Sequence, residues 1–310
     1  MNRKISIIGA PSSIGLRPYA DGSARRLDLA PQVLRESGLC SILNVQDRGD
    51  VLQSRGYRDV ARPQGRPRNE DDVMAYSREL AERIASIPAD DFVLLLGGDC
   101  SILLGALLGL RIATRIPVGL VYLDAHADFA TLEESPSGSA ASMCLALATG
   151  RNDTQLARLA LDGPLLQLEN LVHIGRRDDE EPWYGHHALS LSPALNIPQT
   201  EIREKGVTHA AGAALDRLVH KRNVKFWIHV DADVLDSGVM QAVDSPLPGG
   251  MDLEELRELL TVLVHHPCAL GLQLTIYDPS LDADRVCASR LVKVLASSFQ
   301  DVRPRAGGAA

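Results

Sequence analysis

Six short runs of this chain are apolar almost without interruption: Ile5 to Ala10, Phe92 to Gly97, Val118 to Leu123, Leu171 to Ile174, Phe226 to Val230 and Leu270 to Ile276. A strand with one wet face alternates apolar and polar residues. These runs do not, so each reads as a strand buried on both faces, the environment of a parallel sheet covered by helices. Helical periodicity lies between them. Asp71 to Ser86, Ser101 to Ile112, His209 to Lys221, Asp252 to His265 and Ala283 to Ser298 carry apolar residues at spacings of three and four. Asp252 reads as a helix N-cap, with Glu254 and Glu255 in the first turn, where the helix dipole favours negative charge. Strand then helix, repeated, predicts a three-layer, doubly wound, mostly parallel α/β sheet.

No Pro/Gly/Ser linker or charge block divides the 310 residues, so a single domain over 1–310 is expected. Tyr57 to Glu70 is polar, Arg-rich and Pro-containing and reads as a surface loop, and 300–310 as a disordered tail. The N-terminus reads as a strand and not as a signal peptide, and no stretch of about 18 uncharged apolar residues exists. A soluble, cytoplasmic protein with no membrane partner is expected. The net charge of -8 argues against a nucleic-acid partner, whose footprint is a basic face, and permits a cationic substrate. Five cysteines, an odd count without paired short spacings, do not support a disulfide framework or a zinc ribbon.

Two apolar runs end in clusters of metal-type ligands. One is Asp124-Ala-His126-Ala-Asp128, the other Asp231-Ala-Asp233. Strand side chains alternate with period two, so 124, 126 and 128 can project one way, as can 231 and 233. A lone Asp or His after a strand commonly caps a helix or satisfies loop backbone. Two such clusters, neither with an adjacent Lys or Arg, point instead to a cation, because carboxylates crowded at the ends of buried strands repel one another and are costly to desolvate. Oxygen donors with one imidazole suit Mn(II), with Zn, Co, Ni or Fe as further candidates, and do not suit a structural tetrahedral zinc or Ca(II). In doubly wound sheets ligands sit outside the carboxyl ends of the strands, where these clusters fall.

Leu96-Gly97-Gly98-Asp99-Cys100-Ser101, Asp124-Ala-His126-Ala-Asp128, Ser135-Pro-Ser-Gly138, Asp231-Ala-Asp233-Val-Leu-Asp236 and Pro246-Leu-Pro-Gly-Gly250 resemble, in order and spacing, the motifs of the arginase/agmatinase (ureohydrolase) superfamily. The resemblance spans Ile5 to Leu281. It implies an arginase-like sheet, two Mn2+ ions per chain, and a homo-oligomer, trimer or hexamer. By matching position, it places Cys100, Asp124, Asp128 and Asp231 on the more buried ion and Asp124, His126, Asp231 and Asp233 on the second, with Asp124 and Asp231 bridging. A hydroxide between the ions would attack a planar carbon bearing nitrogen leaving groups, oriented by Asp128. His126 and Asp128 are the catalytic candidates.

Four departures narrow the function. Cys100 stands where most members have a His ligand, and a thiolate is softer and open to oxidation. Ala141 occupies the place of a His proposed to protonate the leaving amine. Ile276 falls where a Glu pairs with the guanidinium, and Ala130 replaces a polar residue that helps hold the amino-acid end. The expected function is therefore metal-dependent hydrolysis of a non-peptide C–N bond in a small guanidino, hydroxyguanidino, formimidoyl or related amidine substrate, and not typical arginase activity. Ser137, Ser139, Arg177 and Glu180 are the substrate-binding candidates, with Ser142, Arg176, Asp178, Asp179 and Tyr277 as further polar candidates from segments that follow or end strands. His186 and His187 are candidates for the lost proton shuttle. The alternative is a catalytically impaired member with a binding or regulatory role; a metal-dependent deacetylase fits the motifs less well.

Overall fold

In the computed structural model, residues 3–43, 45–52 and 62–300 are described. Eight strands form one sheet: β1 (Ile5–Ala10), β2 (Gln46–Asp50), β3 (Phe92–Gly97), β4 (Gly119–Leu123), β5 (Leu171–Ile174), β6 (Leu195–Ile197), β7 (Phe226–Asp231) and β8 (Ala269–Thr275). Their order across the sheet is β2-β1-β3-β8-β7-β4-β5-β6, and every pairing is parallel. Helices lie on both sides, as the unbroken apolar runs require; β3, β4, β5, β7 and β8 are buried along their whole length.

Each of the six apolar runs is a strand. β2 and β6 have no counterpart among them, and both are edge strands. β2 reads Gln-Asp-Arg-Gly-Asp and is largely exposed, so it carries no apolar signature; it pairs through its backbone and through polar side chains such as Arg48, which donates to the Ser6 hydroxyl of β1 at 3.2 Å. The five expected helices are present as Glu70–Ala85, Ile102–Thr114, Val207–Leu215, Leu253–Val264 and Val286–Phe299, the third continuing in π-helical form over Asp216–Lys221. Residues 62–69 are irregular and lead into the first of these helices, and Arg62 anchors them by donating to the carbonyls of Ser135 and Leu132, at 2.6 and 2.5 Å. The remainder of that expected loop, 57–61, and the expected tail, 301–310, fall outside the described residues. All five cysteines are free thiols.

Asp252 caps its helix more completely than charge alone predicts. Its carboxylate accepts from the Glu254 and Glu255 amides at 2.9 and 2.8 Å, while Glu255 accepts from the Asp252 amide at 2.9 Å, a reciprocal capping box. Asp252→Ala is expected to lower unfolding stability by about 1 kcal/mol without changing activity, read from urea denaturation of the variant beside the wild type.

The order of strands fixes where a site can form. The last strand, β8, inserts between β3 and β7, so the carboxyl ends of β3, β8, β7 and β4 stand side by side at the centre of the sheet. Cys100 follows β3, Ile276 follows β8, Asp231 ends β7 and Asp124 follows β4.

Candidate metal centre

Each of the four ends is held by its own hydrogen bonds. Asp99, fully buried, accepts from the Ser12 hydroxyl and from the Gly15 and Ser101 amides at 3.0, 3.1 and 2.9 Å, tying the exit of β3 to the loop after β1. Cys100 then lies over the centre, its thiol donating to Asp231 Oδ2 at 3.0 Å. Beyond β4 the chain is irregular, and Asp128 has a left-handed backbone with φ 46°. Residues 124, 126 and 128 are therefore not brought together by strand pleating, as the spacing predicts, but by a loop. Asp124 accepts from the His126 amide at 2.6 Å, and buried Asp178 accepts from the Ala127 amide at 2.8 Å. On β7 the same device recurs, Asp231 accepting from the Asp233 amide at 2.8 Å.

Two overlapping sets of donor atoms result. Cys100, Asp124, His229 and Asp231 present atoms within 4.8 Å of one another, as do Asp124, His126 and Asp233. Asp124 belongs to both sets, the position of a bridging ligand. Asp128 belongs to neither: its Oδ2 accepts from the Tyr122 hydroxyl at 2.7 Å and from the Cys144 thiol at 3.6 Å. His229 is an addition. It sits two residues before Asp231 on the same strand, so the period-two argument that paired 231 with 233 also reaches 229, within an otherwise apolar run.

The electrostatics fit divalent cations. Burial, then the neighbouring carboxylates, push Asp124 and Asp231 well above the usual carboxylate range, and burial with Asp231 pushes the Cys100 thiol up. Burial alone would lower His126, but Asp233 at 3.0 Å and Asp124 and Glu181, each at 3.5 Å, raise it well above an ordinary imidazole; the same contact holds Asp233 low despite its burial. Asp124 Oδ2 is buried without any hydrogen-bond partner, and His126 Nε2, also buried, has the 3.5 Å contact to Glu181 and no closer hydrogen bond. Ligand atoms that are buried, crowded with like charge and unsatisfied form the donor set a pair of hard-to-borderline cations would complete.

The family model described as the arginase family matches residues 3–299, the whole described length of the sheet. The chain belongs to the arginase family. It is 29% identical over 309 residues to an arginase from Brevibacillus brevis, covering 97% of this chain and 99% of the relative. It superposes on the arginase of Bacillus caldovelox with a TM-score of 0.84 at 26% identity, covering 97% of this chain and 99% of the other. A formimidoylglutamase from Bacillus subtilis shares the fold, with a TM-score of 0.70 at 19% identity, over 96% of this chain and 86% of the other.

A narrow cleft opens over this arginase-family centre. Cys100, His126, Asp128, Asp231 and Asp233 form its floor, and Leu16, Ala141 and Ile276 form an apolar wall. An outer cavity of about 90 Å³ adjoins it, lined by Arg17, Arg25, Ser135, Ser137 and Ser139 among others; Leu16, Ser142, Tyr184, Asp244 and Ser245 line both. Of the substrate-binding candidates, Ser137 and Ser139 are in this outer cavity, and Ser139 is buried with an unpartnered hydroxyl. Arg177 and Glu180 are not. The Arg177 guanidinium donates to the carbonyls of Asp233, Leu235 and Leu247 at 2.7, 3.0 and 3.0 Å and to those of Val234 and Pro248 at 3.2 Å, so it clamps the loop after β7. Glu180 is exposed, and its neighbour Glu181 is the residue that reaches His126.

Asp178, Arg176 and Tyr277 are also absorbed by structure: Arg176 pairs with Asp178 and Asp179, and the Tyr277 hydroxyl donates to Asp282 at 2.7 Å. His186 and His187 start a short helix and do not line the cleft. Tyr184, just before them, does, with its ring 4.5 Å from that of His126 and its hydroxyl 3.5 Å from Ser245 Oγ. Tyr184, Asp244 and Arg25 carry no motif, since only the folded chain brings them to the centre. Arg25 forms an ion pair with Asp244 and lies over the Tyr19 ring at 4.1 Å.

Asp128 supplies a pH test. Burial raises it from 3.8 to about 7, against the pull of His126 and the Tyr122 hydroxyl. A carboxyl whose folded pKa exceeds its unfolded value takes up a proton on folding, so its contribution to stability is present below 3.8 and is lost as pH rises through about 7. Metal-free protein is therefore expected to lose stability between those values, and Asp128→Asn to lose less. Denaturant midpoints measured in chelator across that range check this; identical pH slopes for variant and wild type would count against it.

Proposed function

We propose that this arginase-family hydrolase cleaves the C–N bond of a linear amidine, guanidino, hydroxyguanidino or formimidoyl in type, that carries a carboxylate, and that it is not a typical arginase. The observation that carries the reading is the composition of the cleft. Ile276 and Ala141 line it as apolar surface beside the metal ligands, so neither position offers a carboxylate to a guanidinium, and Asp244, which also lines the cleft, is already paired with Arg25. The outer cavity instead gathers two arginines, Arg17 and Arg25, against the single carboxylate of Asp244, with Ser137 and Ser139 beside them. That is a surface for an anionic substrate end. The chain is read as one arginase-like domain acting in the cytoplasm as a homo-oligomer.

Cys100, Asp124 and Asp231 would hold the inner ion and Asp124, His126 and Asp233 the outer, with two Mn2+ as the expected pair. When bound, the ions lower the pKa of water and polarise the amidine. The chain's own residues do the rest. Asp124, a member of both donor sets, would hold both ions, and Glu181 together with Asp233 orients the His126 ring. The apolar wall excludes water from the reacting carbon. The Tyr184 hydroxyl, at the junction of cleft and outer cavity, is the proton donor to the leaving amine in place of the histidine that Ala141 lacks.

The test is a panel of guanidino, hydroxyguanidino and formimidoyl compounds, each with and without a carboxylate, assayed on Mn(II)-loaded protein by ammonia and urea release. Turnover is expected for the carboxylates alone. Arg25→Gln is expected to raise their KM about tenfold, the loss of one charge-assisted hydrogen bond. Equal turnover of both halves of the panel would remove the carboxylate reading. About two ions per chain with no turnover anywhere would instead favour the catalytically impaired alternative, which the departures at 130, 141 and 276 support.

A further inference from the structure

A chain of buried side chains runs through the sheet to Cys100, and its direction can be read. The Trp227 indole can only donate, and its Nε1 lies 2.8 Å from Gln273 Oε1. That fixes the amide: the carbonyl oxygen faces the indole and the NH2 faces His229 Nδ1 at 2.7 Å. His229 Nδ1 must then offer a lone pair, which puts the ring proton on Nε2. The Nε2–H points at Cys100 Sγ, 3.6 Å away, and at Thr275 Oγ1, 3.3 Å away. Thr275 directs its own proton to the Val230 carbonyl at 3.3 Å, and the Cys100 thiol directs its proton to Asp231, so both groups facing His229 are acceptors. Tyr122 stacks on the imidazole at 4.1 Å and 9°, and Trp227, Gln273 and His229 have no exposed surface.

We infer that His229, although placed among the donor atoms of the inner site, is not a metal ligand but a positioning residue: it delivers an N–H to the sulfur of Cys100, and Cys100 is the ligand. To coordinate through Nε2, the ring would have to move its proton to Nδ1. That would set an N–H against the Gln273 NH2, and turning the amide to relieve the clash would leave the buried Trp227 N–H facing another donor. Trp227 on β7 and Gln273 on the neighbouring β8 thus encode, through His229, the setting of Cys100 beyond the end of β3. A thiolate that accepts an N–H keeps its geometry and is a weaker electron donor, an adjustment that suits a soft ligand placed in an oxygen-rich site. The inference rests on the reading of Cys100 as a ligand, and its test separates the two.

The experiment is histidine 15N NMR of the full-length protein, with and without a metal, alongside electronic absorption of the Co(II)-loaded form. His229 is expected to show a protonated Nε2 and an unprotonated Nδ1 in both states. Co(II) is expected to give a near-ultraviolet sulfur-to-metal charge-transfer band that Cys100→Ser removes. Gln273→Glu, whose carboxylate accepts from both Trp227 and His229 Nδ1, is expected to invert the nitrogen pattern, move the band to lower energy and weaken Co(II) binding about 10- to 100-fold. His229→Gln, which preserves a donor, is expected to keep the band and the ion count. A band in the wild type together with an unprotonated Nε2, or loss of one ion in His229→Gln, would overturn the inference and make His229 the ligand. Absence of the band in wild type with Nε2 protonated would overturn the reading of Cys100 as a ligand, and this inference with it.

Discussion

Replacing Asp124 with asparagine is expected to move activity and metal-free stability in opposite directions. Asparagine can still accept the His126 amide at Oδ1, so the loop after β4 keeps its shape. It cannot bridge two cations as a carboxylate does. Turnover should fall by more than about 10²–10³-fold, the loss typical of deleting a single preorganised electrostatic contact, because Asp124 belongs to both donor sets. Without metal the sign reverses. Burial, with Asp233 and Asp128 nearby, holds Asp124 well above its unfolded value of 3.8, so the metal-free fold favours the protonated form and loses stability as pH rises above 3.8. Asparagine never ionises. In chelator at neutral pH the variant should melt above wild type, while the rise in Tm on adding Mn(II) should shrink, since that rise is binding free energy to the folded state. Thermal melts in chelator and in Mn(II), with kcat/KM from the same preparations, decide the matter; turnover within tenfold of wild type, or an undiminished Mn(II) shift, would remove Asp124 from the bridging role.

The contrast between ligands and cleft explains how far the sequence could be read. Six strands were legible because burial on both faces leaves an unbroken apolar run, while β2 and β6 were not, because an edge strand needs only backbone partners. Cys100, Asp124, His126, Asp231 and Asp233 were legible as candidates because each lies at, or within three residues of, a strand end, although loop hydrogen bonds and not strand pleating bring 124 and 126 together. Asp128 follows the same spacing, yet its left-handed backbone turns its carboxylate to Tyr122 and Cys144, a choice made by tertiary partners on β4 and the segment around 144. The substrate shell was least legible. Arg25 and Asp244 lie far apart in sequence and meet only at the mouth of the cleft, and Arg177, read as a substrate contact from its place after β5, is consumed by the carbonyls of a loop from another strand. Tyr184 belongs with them: nothing local distinguishes it from the exposed Trp183 beside it.

The second glycine of the Gly97-Gly98-Asp99-Cys100 segment carries the largest expected effect on folding. The Gly98 backbone lies in the angle between the exits of β1 and β8: its amide donates to the Ala10 carbonyl at 3.1 Å, and its carbonyl accepts from the Ile276 amide at 2.9 Å. A Cβ there would stand 1.9 Å from the Ser12 carbonyl oxygen, 2.5 Å from its nitrogen and 2.6 Å from its carbonyl carbon. All three are backbone atoms, so no rotamer change can relieve the clash. The loop after β1 has to move, taking with it the Ser12 and Gly15 donors that hold Asp99, and Cys100 follows one residue later. Gly98→Ala should therefore lose about 3 kcal/mol or more, the upper range for overpacking a rigid site, and lose metal along with it. Gly212, inside the helix Val207–Leu215, is the control: a Cβ there meets nothing within 4 Å, and alanine should stabilise by about 0.5–1 kcal/mol through helix propensity alone. Urea denaturation and metal content of the two variants compare them directly. If Gly98→Ala matched wild type in both, the close approach of β1 to β3 would not be what holds Cys100 over the centre, and the glycine would have to be explained by something other than space.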